Sequence, residues 1–363
     1  MGEQVTPLRV GIIGCGTIAG QYLDTFARLD SVALVALADL APERAVALAE
    51  RVPGARALSI DDLLVDPDVQ LVINLTIPAA HAEVSLRALA AGKEVYTEKP
   101  LTADLDSAAE VLAVADAAGL WVGCAPDTVL GTGIQTARKV IDDGLVGRPI
   151  SATATMMTPG HERWHPNPDF YYQPGGGPLL DMGPYYVTAL VQLLGPVVSV
   201  TGAASRIREE RTIGSGPRAG ETVPVGIDTH VTGVLTHASG ALSTLVMSFD
   251  AVATHSASIE VHGETGSVSV PDPNLFDGEV LVRTLQGDGW ATQPASAGYV
   301  GAGRGVGVHD RAVASGIAPR ASGAVAFHVL EVMQSLLRSA GEGRAIAIES
   351  TVVRPDPVPL SEL

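Results

Sequence analysis

The sequence predicts an α/β protein with two parts: an N-terminal doubly wound parallel sheet, and a C-terminal α+β domain on a large, mostly antiparallel sheet. The first third alternates short apolar runs with helical stretches, as in a parallel sheet covered on both faces. Later residues form alternating runs rich in Val, Thr and Ser, separated by turns. The length of 363 residues suits two domains. We predict the boundaries 1–123 and 124–363.

Hydrophobic periodicity and turn residues give the individual elements. In the first domain the predicted strands are 8–13, 32–39, 55–58, 69–75, 94–97 and 120–123, and the predicted helices are 17–29, 42–51, 60–64, 79–91 and 104–118. In the second domain the predicted strands are 150–157, 197–207, 230–236, 241–248, 256–262 and 278–283, with helices at 132–143, from about Pro184, and at 323–337. Residues 209–226 and 286–320 are predicted to be long loops.

The first predicted strand runs into a glycine-rich turn of the form G-x-G-x-x-A, made by Gly14, Gly16 and Ala19. Gly14 permits the tight turn, Gly16 lets a pyrophosphate approach the backbone, and Ala19 lets the helix pack on the sheet. The helix N-terminus then faces the phosphates. This favours a dinucleotide-binding Rossmann domain over an ordinary strand–helix turn. The predicted cofactor contacts of the turn are Gly14, Cys15, Gly16, Thr17 and Ile18.

The acidic residue Asp39 ends the second predicted strand, about 20 residues after the fingerprint. A carboxylate there accepts hydrogen bonds from the adenosine ribose and repels a 2′-phosphate. We therefore predict NAD as cofactor. NADP is the alternative, because Arg44 in the next predicted helix is placed to meet a phosphate.

The charge and cysteine content narrow the classes of partner. Asp and Glu total 40 against 23 Lys and Arg, a formal net charge of −17, which argues against nucleic acid and anionic membranes as partners. No signal peptide or apolar run long enough for a membrane span is evident. The two cysteines are Cys15 and Cys124, and the first lies in the fingerprint turn. A disulfide is therefore not expected, which suits a cytoplasmic location.

Two further clusters carry candidate catalytic side chains. The fifth predicted strand is followed by Glu98-Lys99-Pro100, and ligands of doubly wound sheets bind at the carboxyl ends of strands. Lys99 is therefore either near the nicotinamide or an ordinary surface lysine. A glycine run precedes Asp181 and Tyr185, which share one face if the turn is helical. They are either site residues or a helix cap with a packed tyrosine.

In this order and spacing, the fingerprint, Asp39, Glu98-Lys99-Pro100 and the Asp181 cluster resemble the Gfo/Idh/MocA family of oxidoreductases. Thr76-Ile77-Pro78 followed by His81 resembles it too. The resemblance covers essentially the whole chain, most specifically 9–101 and 175–195. It implies a C-terminal domain whose open sheet forms oligomer contacts, hence a dimer or tetramer. It also implies NAD(P)-dependent oxidation or reduction of sugars, inositols and related polyols.

The resemblance also implies roles for single residues. Lys99 binds and polarises the reacting hydroxyl or carbonyl, and Asp181 lies beside the substrate. Many family members have histidine where this chain has Tyr185, whereas the branch resembling glucose–fructose oxidoreductase and dihydrodiol dehydrogenase has tyrosine. Thr188 replaces a frequent aspartate, so inositol is less favoured as substrate. The remaining predicted cofactor contacts are Leu75, Thr76, Pro78, His81, Glu98 and Lys99. For His81, packing of its helix is the alternative.

The predicted activity is hydride transfer between NAD(H) and a secondary alcohol or ketone of a sugar or sugar derivative. The alcohol binds between Lys99 and Tyr185, its proton goes to Tyr185 or to Lys99, and Asp181 orients a neighbouring group. Tyrosine has a pKa near ~10, and an adjacent ammonium lowers such a value. The alternatives are an oxidoreductase that keeps NADP tightly bound and cycles it between two sugars, and a non-catalytic nucleotide-binding sensor. A sensor needs neither Lys99 nor Tyr185.

A competing motif is His161-Glu162-Arg163-Trp164-His165, which matches the H-E-x-x-H pattern of zinc hydrolases. Proline and glycine on both sides leave barely one helical turn, and no third ligand is evident nearby. The favoured interpretation is a metal-free loop at the substrate cleft, in which Trp164 and His165 contact a sugar. Zinc hydrolysis is the remote alternative. The sequence assigns no role to His309, Arg320 and His328.

Overall fold

The computed structural model describes residues 6–314 and 317–363, which fall into two compact units. One unit holds the chain up to Gly131 together with Tyr299–Leu330 and Val358–Leu363, and the other holds Thr132–Gly298 and Glu331–Pro357. The sequence suggested a single division at residue 123. In the structure, two later segments of the chain return to the first unit.

The first unit contains a parallel sheet between helices, which confirms the predicted doubly wound fold. Its strands are β1 (Leu8–Ile13), β2 (Val32–Ala38), β3 (Arg56–Ala57), β4 (Leu71–Asn74), β5 (Glu94–Thr97) and β6 (Val122–Cys124). They pair in the order β3-β2-β1-β4-β5-β6. The connecting helices are α1 (Ala19–Phe26), α2 (Pro42–Ala49), α3 (Ile60–Val65), α4 (His81–Ala90) and α5 (Leu105–Ala118). All of β4 is buried, as the apolar residues Leu71, Val72 and Ile73 predict.

The second unit is built on a nine-stranded sheet, which confirms the predicted mostly antiparallel architecture. In chain order, the remaining elements of the described residues are α6 (Thr132–Asp142), β7 (Pro149–Met157), α7 (Pro178–Leu194), β8 (Val197–Ser205), β9 (Glu210–Thr212), β10 (Thr222–Pro224), β11 (His230–His237), β12 (Leu242–Ser248), β13 (Ile259–Gly263), β14 (Gly266–Val270), β15 (Val280–Thr284), β16 (Ala291–Gln293), β17 (Tyr299–Val300), α8 (Val306–Val313), α9 (Gly323–Glu342), β18 (Ile346–Ala347) and β19 (Ser361–Glu362). The large sheet has the order β16-β15-β14-β13-β7-β12-β11-β8-β18, and its β7–β12 pair is parallel.

One face of this large sheet packs against α6 and α7. The strand register aligns a row of residues that point to the opposite face, formed by Glu260, Thr153, Thr244, Val234 and Thr201. Val234 is 41% exposed. Four of the five residues in this row are short and uncharged.

Three local predictions were wrong. The helix expected from about Pro184 begins at Pro178, because proline suits the first helical turn and Gly177 before it has φ +92°. The supposed loop 209–226 contains the β9–β10 hairpin, and the supposed loop 286–320 contains β16, β17 and α8. Elements of two or three residues show no periodicity, and glycines next to α8 hide its start.

Within the described parts of the chain, no helix has both the length and the apolar character needed to cross a bilayer.

Candidate functional site

The fingerprint turn has the geometry that its sequence predicts. Gly14 has φ +104°, and a Cβ on it would lie 2.6 Å from the backbone carbonyl of Leu75. A Cβ on Gly16 would meet nothing within 4 Å. Gly14 is therefore required by the fold itself, whereas Gly16 faces open space at the surface.

The N-terminus of α1 opens at this same turn. Its N-cap is Ile18, which supplies no side-chain hydrogen bond to the first-turn amides. Gly16 and Thr17 are exposed beside it. Helical N–H groups without an internal partner form a binding site for an anionic group. The turn thus fits a pyrophosphate.

Asp39 is fixed beside the turn through both carboxylate oxygens. Its Oδ2 accepts a hydrogen bond from the Cys15 amide at 2.7 Å, and its Oδ1 accepts one from the Ala41 amide at 2.9 Å. Burial, followed by the charge of Asp39, raises the pKa of the Cys15 thiol to about 12. The thiol therefore stays protonated, and Cys15 contributes to the turn through its backbone.

The loop after β4 is held by buried polar side chains. Asn74 Oδ1 accepts a hydrogen bond from the Thr76 hydroxyl at 2.6 Å, which fixes that loop. His81 is fully buried, with Nδ1 2.7 Å from the Pro100 carbonyl and Nε2 3.1 Å from the Thr76 carbonyl. Burial lowers the pKa of His81. His81 therefore ties together two loops, while Leu75 is buried and Pro78 is exposed.

Glu98 braces the loop that carries Lys99. Its Oε1 accepts a hydrogen bond from the Tyr22 hydroxyl at 2.9 Å, and its Oε2 accepts one from the Lys99 amide at 3.0 Å. Tyr22 belongs to α1, so the carboxylate connects that helix to the end of β5. Lys99 itself is half-buried, and the Lys99–Pro100 peptide bond is cis.

A buried aspartate in the first unit was missed by sequence reasoning. Asp127 Oδ2 accepts hydrogen bonds from the amides of Gly305 and Gly307 at 2.8 and 3.0 Å, and from the Tyr96 hydroxyl at 3.0 Å. Burial raises the pKa of Asp127. Its carboxylate fixes a late glycine-rich segment, in which a Cβ on Gly305 would lie 2.8 Å from the Tyr22 ring. The partners lie far apart in sequence, so no local pattern reveals them.

In the second unit, Asp181 and Tyr185 lie one turn apart on α7. Asp181 is in the first turn of the helix rather than before it, and Tyr185 is only 4% exposed. Asp181 Oδ2 lies 3.0 Å from Nε2 of His161. The structure thus places a carboxylate and a phenol at neighbouring positions on one helix, with an imidazole bound to the carboxylate.

The H-E-x-x-H segment forms a 3₁₀ turn over His161–Arg163, too short for the helix that zinc hydrolases use. The Glu162 carboxylate accepts a hydrogen bond from the Tyr172 hydroxyl and lies 3.3 Å from the guanidinium of Arg211. Arg211 also pairs with Asp250. Glu162 is therefore committed to a buried ion network, which argues against its use as a water-activating base. In residues 6–314 and 317–363, no cluster of three or more His, Cys, Asp or Glu is arranged to hold a metal.

The same loop presents aromatic rings. Trp164 is 58% exposed, and its ring lies 5.5 Å from that of His165. His165 in turn contacts the rings of Phe170 and Tyr171 at 5.4 and 5.5 Å. This surface has the apolar faces and polar edges that suit a sugar ring.

The three residues to which the sequence assigned no role, His309, Arg320 and His328, make internal contacts or are buried. His309 Nδ1 lies 2.7 Å from the Ser31 hydroxyl. The guanidinium of Arg320 pairs with Asp310, and its amide donates to the same carboxylate at 2.8 Å. His328 is fully buried on α9.

Comparison with models of known protein families identifies the family of this chain. The model of an oxidoreductase family with an NAD-binding Rossmann fold matches residues 8–125, and the model of the Gfo/Idh/MocA C-terminal domain matches residues 134–269. This chain belongs to the Gfo/Idh/MocA family. The predicted family, the oxidoreductase class and the NAD-binding Rossmann domain are thereby confirmed.

Relatives of this Gfo/Idh/MocA protein include sugar and polyol enzymes. A dTDP-3,4-didehydro-2,6-dideoxy-alpha-D-glucose 3-reductase of Actinomadura kijaniata is 34% identical over 64% of this chain and 70% of the relative. A myo-inositol 2-dehydrogenase of Thermotoga maritima is 27% identical over 77% and 80%. A levoglucosan dehydrogenase solved with NADH and L-sorbose shares the fold, with TM-score 0.78 and 22% identity, over 94% of this chain and 99% of that one.

Proposed function

We propose that this Gfo/Idh/MocA protein is a dehydrogenase that transfers hydride between NAD(H) and a secondary alcohol or ketone of a sugar or sugar derivative. The proposal depends mainly on one observation: Asp181 and Tyr185 lie on one face of α7. The same chain also has the Glu98-Lys99-Pro100 motif that contains Lys99. The sugar and polyol activities of its relatives support this substrate class.

The cofactor site is proposed to use the fingerprint turn for the pyrophosphate and Asp39 for the adenosine ribose. The exposed Gly16 and the uncapped α1 N-terminus support the first assignment. The negative charge of Asp39 supports NAD over NADP. When bound, NAD⁺ accepts the hydride that leaves the alcohol carbon.

Residues of this chain bind the substrate oxygen and transfer its proton. The Lys99 ammonium donates a hydrogen bond to the substrate oxygen and stabilises the charge that develops on it. Tyr185 removes the hydroxyl proton in oxidation and returns it in reduction. Its burial keeps competing water from the phenol. Asp181 orients a neighbouring substrate hydroxyl or the lysine, and Trp164 and His165 contact the sugar ring.

The substrate is proposed to be a sugar rather than an inositol, because the family resemblance matches Tyr185 to a position at which many family dehydrogenases have histidine. By the same resemblance, a tyrosine there is typical of the branch that resembles glucose–fructose oxidoreductase and dihydrodiol dehydrogenase.

Tyr185→Phe tests the proposal. Loss of the phenolic hydroxyl should lower kcat by roughly 10²–10⁴, the range for a general acid or base, and leave NAD affinity unchanged. The matched control is Tyr186→Phe, since Tyr186 is the next residue on α7 and its hydroxyl faces Asp272 at 3.4 Å. Steady-state kinetics on a panel of sugars and polyols would measure both. Equal turnover by wild type and Tyr185→Phe would refute the catalytic assignment.

Two alternatives differ in how the cofactor is held. Absorbance of the purified protein in the reduced-nicotinamide band would show that the cofactor stays bound through purification, as the hypothesis of tightly bound NADP cycled between two sugars requires. Exchange of NAD with no turnover on any sugar of the panel would indicate a nucleotide-binding sensor. The proposed dehydrogenase exchanges its cofactor and turns over.

We further propose a homo-oligomer, a dimer or tetramer, formed through the large sheet. The row through Val234 on its open face includes one charged residue, Glu260. Two copies of a chain with net charge −17 repel each other least across such a surface.

A cytoplasmic location is proposed as well, because Cys15 and Cys124 are buried free thiols, as suits a reducing compartment. Recovery of the protein in a periplasmic or secreted fraction would contradict it.

A further inference from the structure

We propose that His161 is a positioning residue that fixes the Asp181 carboxylate for the reaction. The inference rests on the proposed function, in which Asp181 orients substrate or lysine. Nε2 of His161 lies 3.0 Å from Oδ2 of Asp181, and the two side chains come from different elements, 20 residues apart. A carboxylate only accepts hydrogen bonds, so Nε2 carries the hydrogen and donates it.

The imidazole is held on several sides by other rings. Its centroid lies 4.4 Å from the ring of Phe249, 4.7 Å from that of Tyr171 and 5.1 Å from that of Trp164. His161 is 8% exposed. The ring therefore has little freedom to turn away from Asp181.

The backbone that carries His161 is fixed as well. Gly160 has φ +108°, and a Cβ on it would overlap the Glu162 carboxylate. That carboxylate pairs with Arg211, whose side chain is 1% exposed. The carbonyl of His161 accepts the amide of His165 at 2.8 Å. The segment that matches the zinc-hydrolase pattern therefore holds the imidazole of His161 in a fixed position.

A rigid donor matters because the terminal torsion of an aspartate is broad and weakly restrained by itself. A hydrogen bond to Oδ2 fixes the carboxylate plane, and with it the direction of the Oδ1 lone pairs. Misplacement of a catalytic group by about 1 Å is enough to cost roughly 100-fold in rate. His161 thus acts through Asp181 rather than on the substrate.

The chemistry of the ring permits a matched pair of variants. The buried Nδ1 atom of His161 has no hydrogen-bonding partner among the described residues. The hydrogen bond of Nε2 is therefore the polar contact that a substitution of the ring would remove. His161→Phe keeps the ring contacts and removes the donor. His161→Gln removes the ring and retains an N–H at a similar reach.

The experiment compares both variants with wild type on the best substrate of the sugar panel. We expect His161→Phe to lower kcat by about 10–100-fold, with KM for NAD within twofold, and His161→Gln to recover most of the loss. Thermal unfolding controls for the fold. Loss of activity by His161→Gln equal to that of His161→Phe, or full activity of His161→Phe, would overturn the inference.

A double-mutant cycle separates this inference from the proposed function. In an Asp181→Ala background, which has no side-chain acceptor for Nε2, His161→Phe should cost less than threefold further, because its effect passes through the carboxylate. An undiminished cost in that background would overturn the positioning role alone. Wild-type turnover by Asp181→Ala itself would instead remove Asp181 from the proposed mechanism.

Discussion

Asp39 combines two tasks in one carboxylate, because it fixes the fingerprint turn and is proposed to bind ribose. Its oxygens accept the amides of Cys15 and Ala41, which leaves further lone pairs on each oxygen for hydroxyl donors. The negative charge of Asp39 should therefore determine whether NAD or NADP binds, while its two acceptor oxygens hold the turn in its conformation.

Asp39→Ala should weaken NAD binding by about 10–100-fold, since hydrogen bonds to charged groups contribute about 1.5–3 kcal/mol. NADP binding should fall less, because removing the carboxylate also removes its repulsion of the 2′-phosphate. Calorimetric titration with both cofactors measures the difference. Asp39→Asn is the control that keeps one acceptor oxygen and removes the charge, and equal losses for both cofactors would count against the ribose role.

At the residue scale, spacing along the chain decides what could be predicted. Gly14, Gly16 and Asp39 follow a pattern set by local backbone geometry, so the sequence alone identifies them. Asp127 and Arg211 depend on partners far away in sequence, and no period or motif marks such pairs. The functional roles of Lys99, Asp181 and Tyr185 remain predictions.

The strand–turn–helix element at the start of the chain shows how neighbouring glycines serve different ends. Gly14 adopts a positive φ against the Leu75 backbone, whereas Gly16 faces open space. Gly14 is needed to form the element, whereas Gly16 is proposed to be needed only when the cofactor binds.

Alanine substitutions at Gly14 and Gly16 should separate an effect on folding stability from an effect on cofactor binding. Gly14→Ala should lower the free energy of unfolding by about 1–3 kcal/mol or more, because a Cβ meets the Leu75 carbonyl and the positive φ becomes strained. Gly16→Ala should leave thermal stability unchanged and raise the Kd for NAD at least about tenfold. Urea unfolding and NAD titration of both variants measure this. A stability loss in Gly16→Ala equal to that in Gly14→Ala would contradict the distinction.

Long elements were predictable because their apolar periodicity extends over several turns or strand pairs. The alternation of β11 is an example. The start of α7 was misplaced because a glycine run and two prolines resemble a loop, although Pro178 suits a first turn. Short β9 and β10 carry too few residues to show a period.

The chain has a formal net charge of −17, whereas one row on the open face of the large sheet has four uncharged residues in succession. Repulsion between copies should be weakest at that row, where Thr153, Thr244, Val234 and Thr201 align across four strands. The proposed oligomer can therefore be tested by placing a charge in the middle of the row.

Val234→Asp should dissociate the oligomer, because a two-fold interface would bring both new carboxylates out of water. We expect weakening by about 3 kcal/mol or more, roughly 100-fold in the dissociation constant. Val46→Asp is the control, since Val46 is 50% exposed on α2. Sedimentation velocity would report the change, and an unaltered sedimentation coefficient for Val234→Asp would place the interface elsewhere.

The return of late segments to the first unit has a consequence for biosynthesis. β17 pairs with β19 through Tyr299 and Ser361, and the glycine amides that bind Asp127 lie beyond residue 300. A nascent chain emerging from the ribosome therefore leaves this aspartate without those donors until the residues beyond 300 have been made. Premature termination in the second unit would damage the nucleotide-binding unit too, although the fingerprint had been made first.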